Sequence, residues 1–159
     1  MAFSLPQIVQ MAALTLVPGL ELRASIPFGI IKLGLDPLPV FAVCVLFNVL
    51  LGPLVYAALS LFVETLRKAG FIDALYSKIV VRTRKRARPY VERFGFIGLA
   101  LFIAVPLPGS GSYSGALAAY LFGMDLRKFS LANLVGVLIA GIIVTFLTLT
   151  GNYLFLKLV

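Results

Sequence analysis

The segment from Leu38 to Val63 reads LPVFAVCVLFNVLLGPLVYAALSLFV, and its 26 residues include no charged side chain. A helix rises about 1.5 Å per residue, so about 20 apolar residues cross a hydrocarbon core of about 30 Å. A second uncharged segment of 27 residues runs from Ser130 to Leu156. We therefore predict two transmembrane helices, at 38–63 and 130–156.

The composition of the whole chain agrees with this assignment. Hydrophobic residues make up 61% of the sequence and charged residues 13%, and the mean hydropathy is +1.07. Soluble domains average about 45–50% apolar and about 25% charged residues. The sequence therefore predicts an all-α integral membrane protein, with residues 1–159 forming a single membrane domain.

Four other apolar segments are too short to cross a bilayer. Two of them lie on either side of Glu21 and Arg23, and two lie on either side of the sequence Pro106-Leu-Pro-Gly-Ser-Gly111. We predict two re-entrant helical hairpins, at 7–35 and 95–123, whose tips contain a Pro-Gly pair. Alternatively, each pair of arms forms one kinked span, or some arms lie at the membrane interface.

The two halves of the chain share landmarks at a nearly constant offset. Each half contains a short arm, a Pro-Gly tip, another short arm, a Gly-x-Asp turn and a long apolar segment. The offset is 90 residues for Gly19 and Gly109, and 89 residues for Gly34 and Gly123, for Asp36 and Asp125, and for Gly52 and Gly141. An odd number of crossings per half makes the two units, 1–63 and 95–159, an inverted repeat of the kind found in secondary transporters.

Basic residues are concentrated between the two predicted units. Nine of the fourteen lie between Glu64 and Phe94, and this places the linker 64–94 on the cytoplasmic side under the positive-inside rule. The linker is predicted either to set topology as a simple loop or to lie on the membrane as a helix. In the second case its basic side chains contact anionic lipid headgroups; these are Arg82, Arg84, Lys85, Arg86 and Arg88. Such a charge run flanking a span does not indicate nucleic-acid binding.

The first predicted tip contains two charges at membrane depth. Glu21 and Arg23 follow Pro18 and Gly19 and precede Pro27. Ionisable residues inside a bilayer are costly and are candidates for function. Either the two form a structural ion pair, or Arg23 binds an anionic substrate group while Glu21 carries H⁺ or Na⁺.

The second predicted tip contains no charge but is rich in glycine. It comprises Pro106 and then Pro108, Gly109, Ser110, Gly111, Ser112 and Tyr113. Glycines let backbone N–H groups converge, and a helix that begins near Ser112 presents its positive end there. We predict that residues 108–113 bind an anion, although Pro and Gly can also serve only to break a helix.

Several classes of function are disfavoured by the sequence. There is no histidine, the single cysteine is Cys44, and no nucleophile–base set or carboxylate cluster is present. We expect no metal site, no cofactor beyond a coupling H⁺ or Na⁺, and no enzymatic activity. Four further polar residues are expected to bond between helices rather than to substrate: Asn48, Asn133, Ser114 and Tyr120.

Three segments carry a resemblance to a known family. They are Arg88–Gly95, Gly98–Gly111 and Ser114–Asp125, and Glu21-x-Arg23-x-x-x-Pro27 fits the family's first half. The chain resembles the small multidrug export family, which is distantly similar to the DedA superfamily of paired re-entrant hairpins. The resemblance implies that Arg23 and the Pro108-Gly109 tip are binding elements and that Glu21 is a coupling residue. DedA-type tips often have an acid where Ser110 stands, which puts a second coupling carboxylate in doubt.

These observations lead to a functional expectation. We expect a transporter in the plasma membrane of a prokaryote that moves an anionic lipid or another amphipathic molecule. A polyprenyl-phosphate-like substrate is implied by the DedA resemblance. Small-molecule or multidrug export and a non-transporting scaffold are the alternatives. Because two spans are too few to enclose two hairpins, we expect at least a homodimer among membrane lipids.

Overall fold

The fold is described from a computed structural model that covers residues 4–67, 73–107 and 109–158. Within these ranges there are helices and turns and no β-strand. The six α-helices are α1 (Leu5–Leu16), α2 (Glu21–Pro27), α3 (Pro37–Arg67), α4 (Asp73–Ala104), α5 (Ser112–Leu121) and α6 (Leu126–Leu158). A π-helical segment, Phe28–Lys32, continues α2.

Helices α3 and α6 are long and apolar enough to cross a membrane. Their apolar parts, Pro37–Leu61 and Leu126–Gly151, have a mean hydropathy of 2.4, and only about a third of each is buried within the protein. Large apolar side chains such as Leu54 and Phe146 are 66% and 68% exposed. The two predicted long apolar helices are therefore confirmed, and most of their surface faces outward.

The first predicted hairpin contains two short helical arms and a tight turn. Helix α1 begins with a capping box, in which Ser4 N–H donates to the Gln7 side chain at 3.0 Å. It ends at Leu16, and the chain turns through Gly19, whose φ is +84°. The second arm, α2 with its π-helical extension, ends before Gly34 (φ +63°). Both glycines adopt the left-handed backbone conformation that glycine tolerates best.

The element α4 consists of two helical segments, the linker and the first arm of the second hairpin, which meet at a kink at Gly95. Gly95 has φ 52° and ψ −119°, far from helical values. The sequence predicted a separate linker helix and a hairpin beginning at residue 95, and the break lies at that residue. Helix α5 forms the second arm and is followed by Gly123 with φ +68°.

Helices α3 and α6 pack closely because small residues and one freed carbonyl lie at their contact. Proline at position 53 has no N–H, so the carbonyl of Val49 lacks its usual helical partner. Asn133 Nδ2 donates to that carbonyl at 3.2 Å, and the Asn133 side chain rests against Gly52. About two turns further along α6, Gly141 lies against Phe41 of α3. Small residues at helix contacts and side-chain bonds to freed carbonyls are typical of helices in lipid.

We predict that Gly52→Ala destabilises the protein, whereas Gly151→Ala does not. A methyl group at position 52 would overlap the Asn133 amide, and overpacking of this kind typically costs about 1–3 kcal/mol. At position 151 a methyl group meets nothing within 4 Å and gains helix propensity. Thermal unfolding can be followed in detergent by the reaction of a thiol-specific fluorophore with Cys44, the single, buried cysteine. Equal melting temperatures for the two variants would contradict the packing described above.

Candidate functional site

The tips of the two hairpins meet, and Glu21 lies at the centre of their contact. Its Oε2 accepts a hydrogen bond from the backbone N–H of Ser112 at 3.0 Å, and its Oε1 accepts one from Tyr113 N–H at 3.4 Å. The Glu21 side chain belongs to the first tip, yet it caps the first turn of α5 in the second. With an exposure of only 2%, this carboxylate is shielded from solvent.

The local sequence explains why a carboxylate fits at this position. The first N–H groups of any α-helix lack intrahelical acceptors and favour a negative charge. Helix α5 begins at Ser112 directly after Gly111, whose φ is +109°. A Cβ atom at position 111 would lie 2.6 Å from Glu21 Oε2, so a larger residue would exclude the carboxylate. The glycine predicted to shape an anion cradle therefore makes room for the chain's own anion.

Glu21 itself adopts an unusual backbone conformation. Its φ of +48° makes it the only non-glycine residue with positive φ among the described residues. Such a conformation costs a non-glycine residue of order 1–3 kcal/mol and persists only where surrounding contacts fix it. The hydrogen bonds from Ser112 and Tyr113 are contacts of this kind. They fix the position of the Glu21 carboxylate and thereby stabilise the positive φ of its backbone.

Arg23 makes the complementary contact with the opposite polarity. Its Nη1 donates to the carbonyl of Ser110 at 2.8 Å, and its Nη2 donates to Ser110 Oγ at 2.9 Å and to the carbonyl of Val105 at 3.2 Å. Val105 follows the C-terminus of α4, where the helix dipole favours a positive charge. The Nε atom of Arg23 is buried and has no acceptor among the described residues.

We call this set of interactions the tip-to-tip contact: Glu21 with Ser112 and Tyr113, and Arg23 with Val105 and Ser110. The sequence left open whether Glu21 and Arg23 pair with each other. In the structure their hydrogen bonds instead go to opposite ends of the second tip. Each charge is thus matched by backbone groups of the other hairpin. Tyr113 adds a link, because its hydroxyl donates to the carbonyl of Leu16 at the end of α1 at 2.6 Å.

A buried polar cluster adjoins Glu21. Asn48 of α3, only 1% exposed, donates from Nδ2 to Glu21 Oε2 at 3.4 Å, while its Oδ1 has no partner among the described residues. Ser25 lies one turn after Glu21 on α2 and accepts a hydrogen bond from Thr15 Oγ1 at 2.8 Å. The Cys44 thiol lies beside these two hydroxyls. Asn48 was expected only to bond between helices, and the contact of Thr15 with Ser25 was not predicted, although the four-residue spacing places Glu21 and Ser25 on one helix face.

The remaining predicted tip residues lie around this contact rather than within it. Pro18 and Gly19 are exposed in the first turn, and Gly109, with φ +85°, is exposed in the second. Pro27 lies at the junction between α2 and its π-helical extension, and Pro106 is half-buried. Pro108, a predicted binding residue, lies outside the described residues.

The basic linker residues lie on α4, away from the tips in sequence. Lys85 and Arg88 are exposed on this helix. The side chains of Arg82, Arg84 and Arg86 lie outside the described part of the chain. Of the lesser polar candidates, Asn133 donates a hydrogen bond to the Val49 carbonyl of α3. Ser114 and Tyr120 are half-buried on α5. In the described ranges no group of three or more His, Cys, Asp or Glu residues could hold a metal ion.

The fold and the site define a class of protein. Two membrane-length apolar helices, together with two broken hairpins whose charged and polar tips meet inside the protein, are features of a small all-helical membrane protein. The family described as "Putative small multi-drug export protein" matches residues 21–143, and the chain belongs to this family. The matched region begins at Glu21 and includes both sides of the tip-to-tip contact. Neither the curated proteins nor the solved structures contain a match to the chain.

We predict that Glu21→Ala destabilises the protein more than Asp125→Ala. Both carboxylates accept a hydrogen bond from a backbone N–H in the first turn of a helix. Glu21 accepts from Ser112 of α5, and Asp125 Oδ1 accepts from the backbone N–H of Lys128 of α6 at 2.7 Å. Asp125 is 58% exposed, so water replaces it and the loss should be about 1 kcal/mol. Removing the Glu21 carboxylate leaves buried N–H groups unsatisfied, at about 1–3 kcal/mol each. The Cys44 labelling assay measures both changes, and a smaller effect at Glu21 would show that the contact contributes little.

Proposed function

We propose that this protein is a membrane transporter that moves an amphipathic anion, such as a lipid phosphate, through the region where the two tips meet. The tip-to-tip contact carries the proposal. It holds a carboxylate on the N–H groups of α5 and a guanidinium on the carbonyls that follow α4. A surface that already binds an anion on backbone N–H groups is suited to bind another one.

The architecture that we propose for this function is an inverted repeat of a re-entrant hairpin and a span. Three observations support it. The paired glycines of the two tips have φ values of +84° and +85°, and those after the second arms have +63° and +68°. Gly52 of α3 and Gly141 of α6 are equivalent in the repeat. Gly52 packs on Asn133, and the offset of 89 makes residue 44 the equivalent of Asn133. Gly141 packs on Phe41 and Val45, on either side of residue 44. Each span thus places its equivalent glycine against nearly equivalent residues of the other span. A two-fold axis in the membrane plane that relates the two halves requires this correspondence.

The proposed mechanism is an exchange of anions at the α5 N-terminus. Glu21 occupies the N–H groups while no substrate is bound. When the tips separate, the substrate's anionic group takes the place of the Glu21 carboxylate and Arg23 provides the counter-charge. The displaced, desolvated carboxylate then needs a counter-charge of its own, because an isolated buried charge is very costly. Uptake of H⁺ or Na⁺ at Glu21 meets this need and couples ion binding to substrate binding.

Export of drugs is the second candidate, and the family description favours it. Glu21 would then bind a cationic drug. The geometry favours an anion, because the Glu21 carboxylate is buried and already has three donors, whereas Arg23 is half-buried and keeps a free Nε. Drug resistance that depends on Glu21 but not on Arg23 would support the second candidate.

We further propose a homodimer in the plasma membrane of a prokaryote, with residues 64–94 at the cytoplasmic face. Re-entrant arms must be shielded from lipid by protein, and apolar side chains of the first arm, such as Leu5 and Val9, are 73% and 56% exposed. The exposed Lys85 and Arg88 are suited to anionic headgroups.

The test is transport of polyprenyl phosphate in proteoliposomes by wild type, Arg23→Gln and Glu21→Gln. We expect Arg23→Gln to lower the rate about tenfold to a hundredfold, since a hydrogen bond to a charged group contributes about 1.5–3 kcal/mol. Glu21→Gln should bind the phosphate more tightly, because the competing internal anion is gone, and should no longer respond to a H⁺ or Na⁺ gradient.

Asp125→Asn is the matched control, because it neutralises an exposed carboxylate at another helix N-terminus. Its rate should equal that of wild type. Transport by Arg23→Gln at the wild-type rate would refute the proposal, and the absence of transport by the wild type would turn attention to drug efflux.

A further inference from the structure

An open groove of about 400 Å³ runs beside the tip-to-tip contact. One wall is the second arm of the first hairpin, the other is the C-terminal part of α6, and Pro106 of the second tip also lines it. The volume lies within the range of about 300–1,000 Å³ that is typical of ligand sites. The groove is therefore formed by elements of both halves.

Both walls are single helix faces. Arg23, Pro27 and Ile31 follow one another at intervals of four residues, and Val144, Thr148 and Gly151 are separated by four and three residues on α6. Residues spaced in this way lie on the same side of a helix. The lining is almost wholly apolar, and a Cβ atom at Gly151 would meet nothing within 4 Å. Two apolar faces that border an open groove are suited to a hydrocarbon chain.

Among the described residues that line the groove, Arg23 is the one that carries a charge. Its Nη atoms are held by the second tip, but its Nε–H has no acceptor among the described residues. An unpaired buried donor is unfavourable, and an anion that reached it after a small shift of the guanidinium would gain a charge-assisted hydrogen bond. The guanidinium thus belongs to two sites: the tip-to-tip contact and the groove.

We propose that this groove binds the hydrocarbon chain of an amphipathic anion whose headgroup lies at Arg23. The inference rests on the proposed function and specifies where the apolar part of the substrate lies. In a bilayer the chain is already surrounded by apolar lipid, so it gains little affinity by entering the groove. Arg23 accordingly provides the affinity and the charge preference, and the groove fixes the position of the tail. An amphiphilic cation meets Arg23, and none of the described lining residues is acidic, so the cation is excluded.

The experiment is photo-cross-linking in nanodiscs of zwitterionic lipid. The probe is hexadecyl phosphate with a diazirine at the end of the tail, and the matched probe has the same tail on a trimethylammonium group. We expect the phosphate probe to label residues 144–151 and 23–31. An excess of unlabelled hexadecyl phosphate should remove this labelling, and hexadecyltrimethylammonium should not.

Gly151→Phe is the decisive variant, since its ring fills the groove without a clash at Cβ. It should reduce the competed labelling to background. Thr150→Phe, which adds the same ring at an exposed neighbour that does not line the groove, should leave it unchanged. Arg23→Gln should abolish labelling by the phosphate probe; because Arg23 also joins the tips, Gly151→Phe provides the test that does not disturb their contact.

Equal labelling by both probes, or full labelling of Gly151→Phe, would overturn the inference. These outcomes are independent of transport. If the groove is labelled as expected but proteoliposomes show no flux, the proposed transport is wrong and the binding site stands. If flux is normal while Gly151→Phe labels like wild type, transport stands and the tail lies elsewhere.

Discussion

The structure depends on one constraint: broken helices inside an apolar protein expose backbone groups that need partners. At the second tip, α4 leaves carbonyls and α5 begins with free N–H groups. An unpaired group of this kind costs several kcal/mol where water is absent. The first tip provides a carboxylate for the N–H groups and a guanidinium for the carbonyls. The same solution recurs between the long helices, where Asn133 bonds the Val49 carbonyl that Pro53 leaves free.

The tip-to-tip contact gives Glu21 and Arg23 both a structural role and a proposed functional role. Glu21 and Arg23 contribute to stability because they satisfy the backbone of the opposite hairpin. In the proposed transporter they are also the charges that meet the substrate, because an ion that enters between the tips must replace one of them. Under that proposal, structural and functional roles are not alternatives for these residues. The proposed substrate has to compete with an intramolecular ligand of similar chemistry, and this competition lowers its apparent affinity.

The sequence predicted those features that depend on neighbouring residues. The uncharged segments became α3 and α6, and Gly19, Gly34, Gly95 and Gly123 lie where helices break, because such breaks need a left-handed glycine. The partners of Glu21 and Arg23 in the second tip could not be predicted, since they lie 82 to 92 residues away and are mostly backbone groups without a sequence signature. The bond between Thr15 and Ser25 spans only 10 residues, and it was missed although the spacing from Glu21 to Ser25 indicated a shared helix face.

The distance along the chain between the two tips has a consequence for biosynthesis. Glu21 and Ser112 are 91 residues apart. A ribosome adds about 5–20 residues per second, so the second tip follows the first by roughly 5–20 s. During this interval Glu21 and Arg23 lack all of their partners in the second hairpin, and burying the two charges in the hydrocarbon layer is costly. The nascent first half therefore needs protection by the membrane-insertion machinery until the second half is made. The tip-to-tip contact forms only after α5 has been synthesised and inserted.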